Sequence, residues 1–441
     1  MMKKGKRIRV LCTFFCFQFF MGTVLFAQES RVTLEQCIQQ ALEANYSIKI
    51  VRNQEYIADN NANYAPFLPS VGIDAQQTQR LNDTKTTVSG EDRKVNGATS
   101  DVLSAGVSLN WRMFDGMAMF TTYAKYQEML AIGELNTQMA LENLTVNVSE
   151  AYYNVIVQHS KLDASKHSLE LSTERFNEAR DKYVLGVLSG LELQQAKIDL
   201  NADSSKYMKQ KELLKSAYIS LNMIMNADLQ RAMYVHDTIM LREPLIYGEL
   251  YNNTLAMNTL LQIARKDQKI SAMDVKLARS ALFPTLDFNS GYNYSRTKTP
   301  SATTSLNRTN GFYWGFNLKM NIFDRLENRR KIKNAELEVE NAEWSYKETE
   351  LQTLADLAQL YNTYENNLQI VSFENESADV AFENLDAALE KYKLGSLSGI
   401  EFREFQRSYI DAVDRKLSAI YQAKVSELSL MLISGQVKVT N

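Results

Sequence analysis

The sequence predicts a mainly α-helical chain with β-hairpins, assembled from one unit that occurs twice. Only 17 of the 441 residues are Gly and 5 are Pro, too few turn formers for a compact α/β domain, so long uninterrupted elements are expected. Residues 182–192 and 391–401 are identical at eight of eleven positions, at an offset of 209. Residues 107–115 resemble 316–324 at the same offset, so the register holds over a long stretch.

Residues 1–27 have the pattern of a secretory signal peptide, with a basic start, an apolar run and the small residue Ala27 before polar sequence. We therefore expect this segment to be removed on export. Five of the 49 Lys and Arg lie in it, and the remaining 44 against 52 Asp and Glu give a net charge of about −8. Such a charge disfavours a nucleic-acid partner.

The first unit is predicted over residues 28–226, with Thr33 as the N-cap of its first helix and Pro66 and Pro69 as the residues that stop it. Its elements are a helix over 33–65, a β-hairpin over 69–114, a long helix over 116–185, a Gly-containing turn and a helix over 191–226. Within the hairpin, a polar loop is expected near 82–100.

The second unit is predicted over residues 254–433, because Thr33-Leu34 recurs as Thr254-Leu255. Its elements are a helix, a β-hairpin over 284–323, a long helix over 325–394, a turn and a helix over 400–433. Residues 325–394 contain no Gly or Pro, and a heptad seam from Leu354 to Tyr392 predicts a coiled coil. We expect residues 227–253 to link the two units and residues 434–441 to form a tail.

The predicted strands alternate between apolar and polar side chains, most clearly over residues 102–114 and 312–322. Four such strands cannot span a bilayer as an open sheet, because the sheet edges would leave backbone groups unpaired. A closed barrel needs about eight strands or more, so closure by two chains or by three is implied. The export signal and these strands favour a bacterial outer membrane; a soluble protein with hairpins packed on helices is the alternative.

The order of elements and three pairs of motifs resemble the TolC family of outer-membrane efflux proteins. The motifs are Phe-Leu-Pro at 67–69 with Leu-Phe-Pro at 282–284, Phe-Asp at 114–115 and 323–324, and Tyr-x-x-Gly-x-x-Ser-x-x-Glu at 183–192 and 392–401. The resemblance covers about residues 32–435. It implies a homotrimer whose chains form a 12-stranded β-barrel in the outer membrane of a Gram-negative bacterium, continued by an α-helical barrel in the periplasm.

The resemblance also implies a function. The protein would be the passive exit channel of a tripartite efflux or type I secretion system, closed at its periplasmic tip until it docks to a periplasmic adaptor. An inner-membrane pump of the RND, ABC or MFS type would supply the energy. The alternative is a periplasmic coiled-coil structural or adaptor protein without a pore. Because the sequence has no catalytic motif, cofactor fingerprint or metal-ligand spacing, no enzyme activity, cofactor or metal is predicted.

The resemblance assigns candidate gate residues at the tip. Tyr392 matches the gate tyrosine and Glu192 an acid that helps to latch the closed state, whereas Leu397 occupies the usual basic latch position and cannot form an ion pair. Packing at a helix end is the alternative role for Tyr392. Glu401 and Glu404, one helical turn apart, match acidic rings that would favour cations and raise some carboxylate pKa values. A solvated acidic helix face is the alternative for this pair.

Two further sets of residues are assigned a role. The tip residues expected to contact the adaptor are Leu185, Gly186, Leu394 and Gly395. The outward aromatic side chains expected to face lipid, with core packing as the alternative, are Trp111, Tyr292, Trp314 and Phe316.

Overall fold

The computed structural model describes residues 32–88, 90–231, 233, 235, 237–300 and 304–438. The predicted signal peptide lies outside the described residues. The helices are α1 Leu34–Ala44, α2 Tyr46–Asn61, α3 Ala118–Val184, α4 Gly190–Ile224, α5 Tyr247–Met257, α6 Thr259–Ser280, α7 Glu327–Lys393 and α8 Gly399–Ile433. The strands are β1 Ser70–Val88, β2 Glu91–Phe114, β3 Thr285–Lys298 and β4 Leu306–Lys319.

The four strands form one antiparallel sheet in the order β1-β2-β3-β4. The first hairpin is the longer, with strands of 19 and 24 residues against 14 each in the second. The polar loop expected near 82–100 is therefore wrong. Cross-strand pairing continues as far as Val88 and Glu91, because ladder hydrogen bonds satisfy the backbone whatever the side chains are.

Each long helix starts from the Phe-Asp motif. The carboxylate of Asp115 accepts a hydrogen bond from the backbone N–H of Met119 at 3.1 Å, and that of Asp324 accepts one from Asn328 at 2.7 Å. These bonds satisfy backbone donors that the first turn of a helix leaves unpaired. The helices that follow, α3 and α7, have 67 residues each and are about 100 Å long at a rise of roughly 1.5 Å per residue.

Gly116 makes the sharp bend between β2 and α3 possible. It has φ of 69°, and a Cβ atom there would lie 2.5 Å from the carbonyl oxygen of Ser280. Only glycine fits both the left-handed backbone and this close approach.

The predicted helix over 33–65 is divided into α1 and α2 by Asn45, whose backbone is extended with φ of −62° and ψ of 130°. Its side-chain oxygen accepts from the N–H of Ser47 at 2.8 Å and so caps α2. Its side-chain nitrogen donates to the carbonyl of Ile224, in the last turn of α4, at 2.9 Å. A helix continuing through residue 45 would lose both bonds.

The second half of the chain breaks in the same way at Asn258. The side-chain oxygen of Asn258 accepts from Leu261 at 3.0 Å, and its nitrogen donates to the carbonyl of Ile433 at 2.9 Å. The expected boundary at residue 254 falls inside α5, where buried Thr254 donates to the carbonyl of Leu250. The two asparagines, and not the two threonines, therefore occupy matching positions, and the expected linker over 227–253 ends where α5 begins.

The helices pack in two adjoining layers. Near the sheet the neighbours run in the order α2-α3-α6-α7, and towards the far end they run α4-α3-α8-α7. The predicted seam of α7 is buried at seven-residue intervals, at Leu357, Tyr364, Val371, Ala378 and Leu385. Among the described residues, no helix combines the length and apolar character needed to cross a membrane.

We expect Asn45→Ala or Asn258→Ala to destabilise the fold by about 1–2 kcal/mol each, because each change removes a helix cap and an interhelical hydrogen bond. The midpoint of thermal unfolding measures this loss. Asn177→Ala, at an exposed position inside α3, is the control and should leave the midpoint unchanged or slightly raised. Equal midpoints for all three variants would contradict the capping role.

Candidate functional site

The two helical turns at the far end from the sheet have the same backbone geometry. Gly186 and Gly395 have φ of 75° and 74°. After α3, the N–H of Gly186 donates to the carbonyl of Tyr183 at 2.9 Å, and that of Val187 to Lys182 at 2.9 Å. The same two bonds close α7. This is the Schellman arrangement, which requires a left-handed residue and so explains the repeated glycine.

The tip presents apolar side chains to solvent in the single chain. Leu185 is 77% exposed and Leu394 is 83% exposed. Burial of these two side chains against a partner would be favourable, and the docking role of the tip residues stays a prediction.

Both glutamates of the repeated motif belong to capping boxes. Ser189 Oγ accepts from the N–H of Glu192 at 3.3 Å, and Glu192 accepts from the N–H and Oγ of Ser189 at 3.2 and 2.9 Å. Ser398 and Glu401 repeat the arrangement at 3.2, 2.9 and 2.7 Å. The Ser-x-x-Glu spacing is thus a helix-start signal in both copies.

These bonds set the charge state of Glu401. Hydrogen bonds from the backbone and then the side chain of Ser398 hold the pKa of Glu401 below its ordinary value of 4.5. The raised pKa expected for stacked rings of carboxylates concerns an assembly of several chains and stays a prediction. Glu404, at 4.0 Å from Arg407, has a cation on its own helix.

Tyr392 lies between the two coiled coils. Its ring stacks on Phe402 with centroids 5.2 Å apart, and the ammonium of Lys182 on α3 lies 5.5 Å from the ring centroid. Burial, and then the charge of Glu178, raise the pKa of the Tyr392 hydroxyl. Leu397 packs against the same cluster. These contacts show that Tyr392 packs at the end of its helix. Its role in a gate stays a prediction.

A buried ionic network that sequence reasoning missed lies above the tip. The guanidinium of Arg403 on α8 donates to both carboxylate oxygens of Asp203 on α4, at 2.5 and 2.8 Å. Ser172 on α3 donates to the same carboxylate at 2.5 Å. The side chain of Asp203 is 3% exposed, so this bidentate pair is almost dry.

The network continues towards the turns through Arg175 on α3. Its guanidinium pairs with Asp199 on α4 and also donates to the carbonyl of Gly399, at the start of α8, at 2.9 Å. Gln406 on α8 donates to Ser168 and Ser172 at 2.9 and 3.0 Å. These contacts connect α8, from the second half of the chain, to the α3–α4 coiled coil of the first half.

Asp203 stays ionised in this network. Burial acts to raise its pKa, but the hydrogen bonds from Arg403 and Ser172 outweigh it, and the pKa of Asp203 is lowered. The sequence signal for the network is weak. It consists of polar residues three or four apart on three separate helices, and nothing in one sequence says that these faces meet.

One face of the sheet is apolar across all four strands. Because directly paired residues share a face, the register places Ile73, Val107, Tyr292 and Phe312 in one row. Trp314 lies in the neighbouring row, two residues closer to the helices. The row after that contains Trp111, Phe288 and Phe316. The predicted lipid-facing aromatics thus lie on one surface. Trp314 and Phe316 are 64% and 60% exposed.

The polar ends of two of these aromatics are hydrogen-bonded. The indole N–H of Trp111 donates to the carbonyl of Phe67 at 2.9 Å, near the helical end of the sheet. The hydroxyl of Tyr292 accepts from Asn310 at 2.8 Å, towards the hairpin end. The opposite face is polar and includes the ion pair of Arg112 with Asp287 at 3.0 Å.

Comparison with known proteins gives a consistent result. A family model described as "Outer membrane efflux protein" matches residues 37–227 and 250–436. Outer membrane protein TolC of Escherichia coli K12 is 20% identical over 413 residues, which cover 91% of this chain and 82% of that protein. A probable outer membrane lipoprotein, SilC of Salmonella typhimurium, is 22% identical over 374 residues, or 82% of this chain and 78% of that protein.

Solved structures share the fold. The CmeC outer membrane channel of Campylobacter jejuni superposes with a TM-score of 0.76 at 16% identity, over 98% of this chain and 94% of that chain. CusC superposes with a TM-score of 0.73 at 17% identity, over 91% and 92%.

We expect Asp203→Asn to loosen the tip, because the variant removes the bidentate partner of the buried Arg403 and leaves only Asp199, at 3.9 Å, to face its charge. Breaking a buried pair in this way costs on the order of 3 kcal/mol. Hydrogen–deuterium exchange of peptides covering residues 394–410 should therefore accelerate by roughly a hundredfold.

Asp379→Asn is the matched control, because it removes an exposed partner of Lys416 at 3.4 Å and should change exchange little. If both variants exchange like the wild type, the network does not hold the tip.

Proposed function

The chain belongs to the outer membrane efflux protein family, and from this premise we propose that it is the outer-membrane exit channel of a tripartite efflux or type I secretion system. The family match covers most of the chain and confirms the resemblance predicted from the sequence. The family consists of channels, not enzymes. In the proposed system an inner-membrane pump of the RND, ABC or MFS type drives the substrate, and the channel is a passive conduit.

The open sheet is the observation that carries this proposal. Within the described chain, β1 pairs only with β2 and β4 only with β3, so one edge of each strand has no partner. An edge exposed to hydrocarbon would leave several N–H and C=O groups unsatisfied, each at a cost of a few kcal/mol. If β1 pairs with β4 of one further copy and β4 pairs with β1 of another, neither edge is left unpaired.

The helical layers also end on helices that have a helical neighbour on one side only within the described chain. Near the sheet the outer helices are α2 and α7, and near the tip they are α4 and α7. These outer helices carry exposed apolar side chains at seven-residue spacing. They are Ile50 and Ile57 on α2, Leu191 and Ile198 on α4, and Leu337, Trp344 and Leu351 on α7. Each copy thus offers complementary edges to the next, as a ring requires.

We propose that three copies close this ring. The resemblance to the family supports three copies over two, and gives a 12-stranded barrel continued by an α-helical barrel. Matching caps at Asn45 and Asn258, and at Asp115 and Asp324, support the reading of each chain as one unit duplicated. The aromatic face of the sheet would then contact lipid, through Trp111, Tyr292, Trp314 and Phe316, and the polar face would line the lumen.

The proposed location is the outer membrane of a Gram-negative bacterium, with the helices extending into the periplasm. At their far end, Leu185, Gly186, Leu394 and Gly395 would dock a periplasmic adaptor. Glu401 and Glu404 would form acidic rings at the entrance. Tyr392 and Glu192 would belong to the gate.

In place of the usual basic latch residue, Arg403 and Arg175 would hold α8 against α3 and α4 in the closed state. This assignment is supported by their buried contacts with Asp203, Asp199 and the start of α8.

Planar-bilayer conductance tests the channel. The wild-type protein should give a small, cation-selective conductance because its tip is closed, and Asp203→Asn should give a larger one. The exposed-pair variant Asp379→Asn should conduct like the wild type. Absence of conductance from both the wild type and Asp203→Asn, in protein of monomer mass, would overturn the proposal.

Cation selectivity should depend on Glu401 over a defined pH range. Because the pKa of Glu401 is held below 4.5, its charge is present above that value and is lost only as the pH falls below it. The reversal potential in a salt gradient should therefore stay constant from neutral pH to about pH 5 and decline below. Glu401→Gln should show weaker selectivity than the wild type from neutral pH to about pH 5, and the two should converge as the pH falls further. Equal selectivity of the variant and the wild type at neutral pH would remove Glu401 from the pore.

Trp344→Glu should shift the protein from trimer to monomer, because the side chain is 64% exposed in one chain and would be covered by the next copy. Light scattering in detergent gives the mass. Ser345→Glu adds the same charge at the adjacent exposed position, about 100° around the helix and off the apolar stripe, and should leave trimers intact. Trimers of Trp344→Glu as stable as those of the control would place the interface elsewhere.

A further inference from the structure

We propose that the outward face of the sheet carries a binding site for the phosphate groups of anionic lipids in the outer leaflet, formed by Arg296, Lys298 and Arg308. The inference rests on the proposed function, in which this face contacts lipid. It goes beyond that function because it names a lipid headgroup as a specific ligand and the side chains that bind it.

The register places the three cations together on the apolar face. Arg296 on β3 is the direct partner of Arg308 on β4. Tyr292 and Phe312, four residues away on the same strands, are also direct partners. Because side chains alternate between faces, residues an even number apart share a face, so both arginines lie on the side of Tyr292 and Phe312. Lys298 lies on this face as well, one row farther out.

Like charges directly opposite each other destabilise a sheet unless an anion lies between them. The one carboxylate beside them is Asp101 on β2, whose oxygen is 3.8 Å from Arg296. Within the described part of the chain, no carboxylate lies within 4 Å of Arg308 or Lys298. Three cations against one carboxylate leave the cluster with an excess of positive charge, on a face whose other side chains in these rows are uncharged.

The height of this cluster on the sheet indicates which part of a lipid it would contact. The long helices leave the sheet at Phe114 and Lys319, so Arg296 and Arg308 lie towards the hairpin end, away from the helices. Four residues separate them from the row of Tyr292, about 13 Å along a strand. Aromatic residues of membrane barrels mark the level where hydrocarbon meets headgroups, so the arginines would lie at headgroup depth.

The chemistry of the cluster fits a phosphate. Guanidinium groups bind phosphate through paired, charge-assisted hydrogen bonds. The apolar rows directly below would contact the acyl chains of the same lipid. This continuity of apolar and cationic surface favours a lipid phosphate over a free one.

The test uses purified full-length protein in detergent with lipid A, whose sugar headgroup carries two phosphates, as the probe. Bound lipid is counted by native mass spectrometry. We expect the double variant R296Q/R308Q to bind lipid A at least about tenfold more weakly than the wild type, because two charged contacts are lost. Arg80→Gln is the matched control. By the β1–β2 register it removes an arginine from the opposite face at a similar height, and should bind lipid A like the wild type.

Competing ligands distinguish the sources of phosphate. Phosphatidylethanolamine and inorganic phosphate should not displace lipid A from the wild type. Displacement by inorganic phosphate, or equal loss of lipid A in Arg80→Gln and the double variant, would overturn the site. Bilayer conductance of the same samples separates the two proposals. If the wild type conducts and R296Q/R308Q binds lipid A as the wild type does, only the lipid site is overturned. Absence of conductance from both the wild type and Asp203→Asn, in protein of monomer mass, would overturn the channel.

Discussion

The unpaired backbone along β1 and β4 is the constraint on which the proposed assembly depends. One chain supplies four strands, which cannot close on themselves, and an apolar medium cannot satisfy the groups at the two free edges. The helical layers end in the same way, on helices with exposed apolar side chains at heptad spacing. Both features support the proposed ring of identical copies, in which each edge would meet its complement.

The long helices and strands leave only a few positions at which the chain turns. The sequence therefore needs few glycine and proline residues. At these places the sequence uses side-chain caps. Asn45 and Asn258 divide helices, Asp115 and Asp324 start them, and Ser-x-x-Glu pairs restart them after a left-handed glycine. Two of the residues attributed to a pore, Glu192 and Glu401, thus also have a local structural task, and their substitution would alter the turn as well as the charge.

The sequence predicted the features that depend on local pattern. The long helices, the seam of α7, the alternating strands and the repeated tip motif all follow from periodicity or identity within the chain. It did not predict the break at Asn45, because a capping asparagine within an apolar period looks like a helical residue. It also missed the pair of Arg403 with Asp203, 200 residues apart, because only the packing of α8 on α3 and α4 brings them together. The strands through 82–100 were missed because their polar side chains resemble a loop.

Single-particle cryo-electron microscopy of the full-length protein in lipid nanodiscs tests the central claim most directly. The account predicts three copies around one axis, with β1 of each copy hydrogen-bonded to β4 of the next and the Trp314 face against lipid. A particle in which β1 or β4 keeps a free edge, or in which two copies pair edge to edge without enclosing a lumen, would contradict it.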